Sequence, residues 1–423
     1  MTEALLRCRL CDAELQRTFV DLGMSPLCES FLTRDELDGV ERFYPLNVRV
    51  CEQCLLVQLP DYVPPTDIFR EYAYFSAFSD SWVEHARMYS QAMIERFGLN
   101  AGNLVVELAS NDGYLLQHFV ARQIPVLGID PAVNVAKAAK ARGVETLVDF
   151  FDWHLARELA AQGRTADLVV ANNVLAQVPA LNDFVAGIQL LLSPGGVATI
   201  EVPHLARLIG GLQFDTIYHE HYSYFSLTTL GTLCSRHGLE IFDVEELSSH
   251  GGSLRVYVRR PGERSDAVGE AVARILGEEQ RAGYDSVDGY LHFADRVAEV
   301  KWELLELLIG RPRVGKSVVG YGAPGKGNTL LNYCGIRSDL LDYTVDRNPY
   351  KHGRFLPGTH IPIYAPDHLA KTRPDYILVL PWNLRKEISA QLTYTREWGA
   401  QLIVPIPRPE VLEWLAVEKA TAG

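Results

Sequence analysis

A chain of 423 residues is longer than one hydrophobic core usually serves, so two or three domains are expected. Hydrophobic residues at 48% and charged residues at 22% describe ordinary globular material, and no apolar run approaches the roughly 18–20 residues of a membrane span. The net charge of −13, from 40 basic and 53 acidic residues, argues against a nucleic-acid binder, whose affinity rests on clustered Lys and Arg.

The first residues have no apolar signal-peptide core. Seven cysteines, four of them in paired hooks, suit a reducing compartment better than a disulfide framework. The expectation is a cytoplasmic protein.

The hooks come first in the chain. Cys8-Arg9-Leu10-Cys11 and Cys51-Glu52-Gln53-Cys54 are matched Cys-x-x-Cys pairs. Four thiolates in two such hooks are the ligand set of a closed, structural zinc site with no open position for catalysis. The hooks are farther apart than in a simple zinc ribbon, so a small folded insert must separate them. Unligated buried cysteines are the alternative. A redox role is weak, because thioredoxin-type chemistry uses one pair at a helix start. Leu46–Val50 reads as a strand before the second hook, and Leu55–Leu59 as an apolar run after it. Cys28, Cys234 and Cys334 stand alone and read as packing residues.

From Asn103 onward, strand and helix patterns alternate. Strands are expected at Asn103–Leu108, Val126–Ile129, Asp167–Ala171 and Val197–Val202. Helices are expected at Tyr114–Arg122, Val133–Arg142 and Phe184–Leu192. This is the pattern of a doubly wound parallel sheet, whose ligands bind at the carboxyl ends of its strands. The loop Glu107-Leu108-Ala109-Ser110-Asn111-Asp112-Gly113 carries an acid and one Gly before a helix, but no Gly-x-Gly-x-x-Gly. A pyrophosphate needs those glycines; S-adenosylmethionine does not. Its carboxylate can sit on amides near a helix start, its ammonium near Glu107, and its ribose on Asp130 at the second strand's end. Asp149, Phe150, Asn172 and Asn173 fall at the ends of the third and fourth strands. The domain looks like a class I methyltransferase, with a Rossmann-like domain for another adenosine ligand as the alternative.

Next comes the densest chemical segment, Asp215 through Ser226, which includes Tyr218-His219-Glu220-His221-Tyr222. Histidine titrates near neutrality and is the usual general base. A cation site and plain packing are the other readings; Ser223 stands where a helical His-Glu-x-x-His needs its second His. His250-Gly251-Gly252 is a polar turn ahead of an expected strand, Leu254–Val258. Residues 262–310 read as a charged helical connection.

The last domain opens with a strand from Ser317 into Gly320-Tyr321-Gly322-Ala323-Pro324-Gly325-Lys326-Gly327-Asn328, with a helix expected from Thr329. The next strand, Leu341–Val345, ends in Asp346. This is a dinucleotide-type fingerprint, read as phosphate binding at a helix start or as a glycine turn kept for packing. It is not a P-loop, because Gly327 follows the Lys. Lys351 and His352 lie in the basic loop after Asp346. Further strands are expected at Tyr376–Leu380 and Gln401–Ile406.

Taken in order, these motifs resemble the sugar C-methyltransferases of deoxysugar biosynthesis, three-domain enzymes acting on nucleotide-linked keto sugars for antibiotics. The resemblance covers essentially the whole chain. It rests on the two hooks, Tyr74-Phe75-Ser76, Glu107 through Gly113, Asn172-Asn173-Val174, Tyr218-His219-Glu220-His221, His250 through Arg255, and Gly322 through Asn328. Gly325 and Gln177 depart from the family's usual Ala and His. The resemblance implies a zinc-binding module over 1–68, an S-adenosylmethionine-binding methyltransferase domain over 69–260, a helical connection over 261–310 and a Rossmann-like nucleotide-sugar domain over 311–423. It implies His221 as catalytic base, assisted by Tyr218 and Glu220. Cofactor contacts fall to Tyr74, Phe75, Ser76, Glu107, Ala109, Asn111, Gly113, Asp130, Asp149, Phe150, Asn172 and Asn173. Substrate contacts fall to His219, Tyr222, His250, Tyr321, Gly322, Ala323, Lys326, Asn328, Asp346, Lys351 and His352. The implied partner is a dTDP-linked keto-deoxysugar, methylated at C-3 or C-5 by a monomer. An NAD-dependent oxidoreductase using the C-terminal fingerprint is the other reading.

Overall fold

A computed structural model describes residues 6–69, 77 and 80–412. The strands are, in chain order, β1 (Arg17–Ser25), β2 (Tyr44–Val50), β3 (Val57–Gln58), β4 (Val105–Leu108), β5 (Val126–Ile129), β6 (Thr146–Leu147), β7 (Ala166–Asn172), β8 (Leu192–Pro203), β9 (Ser223–Tyr224), β10 (Glu240–Leu247) and β11 (Ser253–Arg259). They continue with β12 (Val318–Tyr321), β13 (Thr344–Val345), β14 (Ile363–Tyr364), β15 (Tyr376–Val379), β16 (Gln401–Val404) and β17 (Glu410–Leu412). The chain divides into two units. Unit one is Met1–Thr18, Val48–Arg207 and Glu220–Tyr290; unit two is Phe19–Asn47, Leu208–His219 and Leu291–Gly423.

In unit one, seven strands form a sheet in the order β10-β11-β8-β7-β4-β5-β6. β4 pairs in parallel with β5 and β7, and β7 with β8. Val105, Val106 and Leu108 of β4 are all buried, the continuous apolar run of a strand covered on both faces. The expected parallel sheet is therefore present but incomplete as a description. β11 runs antiparallel to β8, with Arg255 opposite Glu201, and β10 runs antiparallel to β11. One of the two cores of this sheet includes Cys8, Leu10, Cys51 and Leu56, so the cysteine module shares the sheet's interior. Within unit one β3 also pairs antiparallel with β9, Val57 opposite Tyr224 and Gln58 opposite Ser223.

Unit two holds a six-stranded sheet in the order β14-β13-β12-β15-β16-β17, parallel except for β17. Val319, Tyr321, Val345, Ile377, Val379 and Leu402 fill one of its cores. The helix expected from Thr329 starts earlier, at Gly325, and runs to Cys334 with Pro324 as its N-cap residue. Proline's fixed φ and missing donor cost nothing at a helix start, and Gly325 and Gly327 belong to the first turn. The charged stretch after residue 262 forms helices Glu270–Arg281 and Phe293–Ile309. Among the described residues no helix is long and apolar enough to cross a membrane.

Both parallel sheets use one device at their first loop. Asp130, after β5, accepts hydrogen bonds from the Asn111 and Ala132 amides at 2.9 Å each. Asp346, after β13, accepts from the Ala323 and Asn348 amides at 2.7 Å each. In each sheet the acid at the second strand's end pins the loop that follows the first.

Candidate active site

The loop after β4 is built around backbone that few residues tolerate. Ala109, Asn111 and Gly113 all have positive φ, at 57°, 48° and 76°. A side chain at Gly113 would come within 3.1 Å of Val144 Cγ2 and 3.2 Å of Ala139 Cα, so conformation and space both require glycine there. Arg142 Nη1 donates to the Asp112 carbonyl at 2.6 Å.

This backbone surrounds three buried acids, of which Asp112 has Arg142 Nη1 3.4 Å away and Asp130 accepts the two amides described above. Glu107 is 1% exposed and its Oε2 has no hydrogen-bond partner among the described residues. Burial, and then the neighbouring Asp130 and Asp112 carboxylates, push its pKa well above the usual range. Asp130 and Asp112 are raised as well, each mainly by burial. After β7, Asn173 has φ 55°, and Asn172 Oδ1 and both amide atoms of Asn173 are buried without partners among the described residues. A buried carboxyl and several unmet amide groups at the ends of adjacent parallel strands suit a ligand carrying a positive charge and hydroxyls, as expected for S-adenosylmethionine. Asp149 accepts from the Phe150 amide, both exposed and just beyond β6. Tyr74, Phe75 and Ser76 lie outside the described residues.

The segment holding Glu220 and His221 runs along the same edge. The Tyr222 amide donates to Ala176 O, 2.7 Å, in the loop after β7, and the Leu205 amide after β8 donates to Phe225 O, 2.8 Å. On its other side the segment is held by β3, with the Leu59 amide on Tyr222 O at 2.9 Å. His221 is half-buried, with the Tyr224 ring centre 6.4 Å away. Glu220 is 7% exposed. Tyr222 is buried and its hydroxyl donates to Val63 O, so it works as a packing residue.

The four hook sulfurs lie within 4.8 Å of one another. Cys8 Sγ is 3.5 Å from Cys54 Sγ, and Cys11 Sγ 3.5 Å from Cys51 Sγ. Zinc–sulfur bonds of about 2.3 Å in a tetrahedron put sulfurs roughly 3.8 Å apart, so the donor set fits the metal. Gln58 braces it: its Nε2 donates to Cys8 Sγ at 3.1 Å, and its Oε1 accepts from the Arg9 amide at 3.0 Å. Asn182 Nδ2 donates to the carbonyls of Arg9 and Leu10, which ties the first hook to the helix Leu181–Leu191.

Unit one holds a further cluster that the sequence reading missed. Glu201, fully buried near the end of β8, pairs with Arg255 at 3.1 Å, accepts from Ser249 Oγ at 3.1 Å, and has His85 Nε2 at 3.4 Å. Trp82 stacks on His85 with ring centres 4.9 Å apart and meets His250 edge-on at 5.4 Å. His250 is exposed and has φ 54°. An acid inside the apolar run Val197–Val202 was the available signal for Glu201; nothing in sequence marked His85.

In unit two, several expected substrate contacts converge on the glycine turn. Lys351 Nζ donates to Ala323 O at 2.8 Å, and His352 Nε2 to Asp346 O at 2.7 Å. Gly322 has φ 89°, and a side chain there would meet Pro381 Cδ at 2.6 Å. Glu29 accepts a hydrogen bond from the Gly325 amide and lies 3.5 Å from Lys351 Nζ. Lys326 instead turns to Asn383 Oδ1, 3.0 Å, with its ammonium 5.1 Å from the Trp382 ring centre. Burial lowers its pKa, against the opposing pull of Asp215. Asp215 is buried and accepts from Trp382 Nε1 at 2.6 Å; burial raises its pKa to about 6. Asn328 is 1% exposed, and its Nδ2 has no partner among the described residues. His219 is buried and donates from Nε2 to Pro45 O at 3.2 Å, while its Nδ1 has no partner among the described residues.

Three family profiles match consecutive stretches of the chain. They are described as "Putative zinc binding domain" over residues 8–69, "Methyltransferase domain" over 82–244 and "C-methyltransferase C-terminal domain" over 248–407. The last includes the glycine turn. The chain is 39% identical over 405 residues to the C-methyltransferase NovU of Streptomyces niveus, covering 96% of each protein. A S-adenosylmethionine-dependent methyltransferase from Clostridium acetobutylicum overlaps 44% of this chain and 94% of its own, at 12% identity and TM-score 0.35. The 1,6-didemethyltoxoflavin-N1-methyltransferase of Burkholderia thailandensis overlaps 48% and 95%, at 18% identity and TM-score 0.33. Overlaps so loose carry no inference about this chain.

Proposed function

The chain belongs to the C-methyltransferases that join a cysteine-rich zinc module, a methyltransferase domain and a C-methyltransferase C-terminal domain, and from that premise we propose that it methylates a dTDP-4-keto-6-deoxyhexose. The methyl donor is S-adenosylmethionine, and the methylated carbon is C-3 or C-5, beside the ketone. The observation that carries the reading is the bond from the Tyr222 amide to Ala176 O. It supports the reading because Ala176 lies in the loop after β7, a few residues from Asn172 and Asn173, whose side chains keep polar atoms without partners among the described residues.

A carbon beside a ketone is acidic because its anion delocalises onto oxygen. His221 takes that proton on its imidazole as general base. Glu220 and Tyr218, its near neighbours in the chain, orient the imidazole and the ketone, and donors facing the keto oxygen stabilise the enolate charge. When bound, S-adenosylmethionine supplies an electrophilic methyl group on a sulfonium sulfur. Glu107, Asp130 and Asn173 hold the donor's ammonium and hydroxyl groups, which fixes its alignment with the carbanion. In unit two the glycine turn, with Lys351 beside it, receives the diphosphate. The zinc site is structural, because four thiolates leave no open coordination position.

Incubation with a dTDP-4-keto-6-deoxyhexose and methyl-labelled S-adenosylmethionine tests this directly. Carbon-bound label next to the ketone is expected in the product NMR spectrum. Tight NAD(H) binding together with no S-adenosylmethionine binding would overturn the reading.

A further inference from the structure

Glu279 takes no part in the proposed chemistry, yet its carboxylate gathers four hydrogen bonds on the helix Glu270–Arg281, where it is 1% exposed. It accepts from the Leu227 amide at 2.7 Å, the Thr228 amide at 2.9 Å, Thr228 Oγ1 at 2.7 Å and His204 Nε2 at 2.8 Å. Burial would raise its pKa, but the bonds from His204, Thr228 and Leu227 hold it below the ordinary value, so the group is charged. Leu227 and Thr228 open the helix Leu227–Arg236, whose N-cap is Ser226. The first amides of a helix lack partners within it, and a buried anion satisfies these two. Glu279 thus fixes the chain where the stretch Glu220–Ser226 ends.

His204 carries that anchor to two loops of unit one. It stands just past β8. Its own amide donates to Gly252 O at 3.0 Å, in the turn that holds His250. The next amide, that of Leu205, donates to Phe225 O at 2.8 Å, four residues after His221. A side chain at Gly252 would meet Arg207 Cγ at 2.8 Å, so the turn lies directly on the stretch that follows His204. The His204 ring is 6% exposed and its Nδ1 has no partner among the described residues, which leaves the bond to Glu279 as its polar contact. Pairing two groups this buried adds little net stability, because both give up water.

We propose that the His204–Glu279 bond is a positioning device for methyl transfer: it holds the end of β8 so that the segment carrying His221 and the turn carrying His250 keep a fixed register. The proposal rests on the assignment of His221 as base in the reading above. Both residues act through Phe225, Leu227, Thr228 and Gly252 rather than on the reacting atoms.

His204→Leu removes one bond and leaves Glu279 its three others, so the fold should survive. In the full-length, zinc-loaded variant, kcat with a dTDP-4-keto-6-deoxyhexose is expected to fall about 10–100-fold, the scale of an ångström-sized misplacement. KM for the sugar and equilibrium binding of S-adenosylmethionine should stay near wild type. His204→Gln keeps a side-chain donor and should recover most of the rate. Hydrogen–deuterium exchange should quicken over residues 222–228 and over 249–253 in His204→Leu, and not in His204→Gln. Glu279→Gln, whose amide accepts at one end alone, should show the same paired changes and decides the matter if His204→Leu does not fold. Wild-type kcat in His204→Leu, or a raised KM with kcat unchanged, overturns the proposal. Quickened exchange confined to residues 227–228 overturns it as well, because the bond would then only cap a helix. A wild type that transfers no methyl group to the sugar overturns the substrate reading instead, and the exchange comparison still decides whether the bond holds both loops.

Discussion

Arg9, inside the first cysteine hook, lies over the ring of Tyr222, with its guanidinium carbon 5.4 Å from the ring centre. Tyr222 is the residue after His221. The same arginine donates to Leu59 O and to Asp61, and its amide donates to Gln58. The hook and the proposed base are thus joined through two short paths. One is the cation–π contact; the other is Gln58, which touches Cys8 and, in β3, pairs with Ser223 of β9. A closed zinc site can therefore matter to chemistry without touching substrate.

Gln58→Leu should loosen both paths. It removes the donor to Cys8 and leaves the Arg9 amide without its acceptor. Zinc affinity is expected to fall by about 10–100-fold, as for other outer-shell partners, and kcat to fall even at saturating zinc. Competition with a chromogenic chelator reads the first, and steady-state rates in excess zinc read the second. Unchanged zinc retention would show that Gln58 does not support the metal.

His221→Asn should cost turnover by roughly 10²–10⁴-fold, the range for a lost general base. Binding of S-adenosylmethionine should stay near wild type, because the acids around Glu107 are untouched. Equilibrium binding and single-turnover rates separate the two effects, and a fully active variant would remove His221 from its role.

Glu107→Gln should stabilise the cofactor-free protein while weakening cofactor binding. The folded carboxyl titrates well above its ordinary value because burial disfavours the charge. The native state therefore holds its proton where the unfolded state has released it, and stability falls as pH rises from the ordinary glutamate range toward the raised value. The amide removes that slope. A gain of about 1 kcal/mol, or roughly 2–4 °C in Tm, is expected at neutral pH. A lower Tm, or undiminished S-adenosylmethionine affinity, would contradict the assignment.

Gly113→Ala should damage the same loop by a different route. At φ 76° an L side chain is strained, and its Cβ would press on Ala139 and Val144. The expected cost is about 1–3 kcal/mol, seen as a lower Tm together with weaker cofactor binding. An unchanged thermal transition would mean the loop relaxes freely.

Asp215→Asn should change the pH dependence of unit two. Burial raises the Asp215 pKa from 3.8 to about 6, opposed by Lys326 and by the bond from Trp382. The group binds a proton more tightly when folded, so the wild type loses stability as pH rises from about 4 to about 6. The asparagine variant should lose that part of the profile. Thermal scans across the interval decide it; parallel profiles for the two proteins would exclude the effect.

Much of this was legible in the residues. The four thiolates announced a metal by spacing alone, and their sulfurs do converge. Val126–Ile129 was readable to the residue, because a short apolar run between a Pro and an Asp has clear ends. Glu107 was recognisable as a strand-end acid. What escaped was long-range pairing. β3 and β9 are two residues each, too short for periodicity, and only their pairing across more than 160 residues gives them meaning. The cluster at Glu201 escaped because His85, Glu201 and Arg255 lie far apart in sequence and meet only in the folded sheet. The helix at Gly325 was placed late because glycines suggest a loop, whereas here they sit in a helix's first turn.

The division of the chain into Met1–Thr18, Val48–Arg207 and Glu220–Tyr290 against Phe19–Asn47, Leu208–His219 and Leu291–Gly423 has a consequence for synthesis. As the chain leaves the ribosome from its amino end, Phe19–Asn47 emerges early but belongs with partners from residue 291 onward. Apart from the pairing of β1 with β2, it must wait for the rest of its unit until most of the polypeptide exists. Unit one likewise cannot close until β10 and β11 have appeared. Such interleaving favours post-translational over stepwise folding and makes either unit hard to express alone as a contiguous fragment. Circular permutants or truncations cut at apparent domain limits should aggregate rather than yield soluble halves.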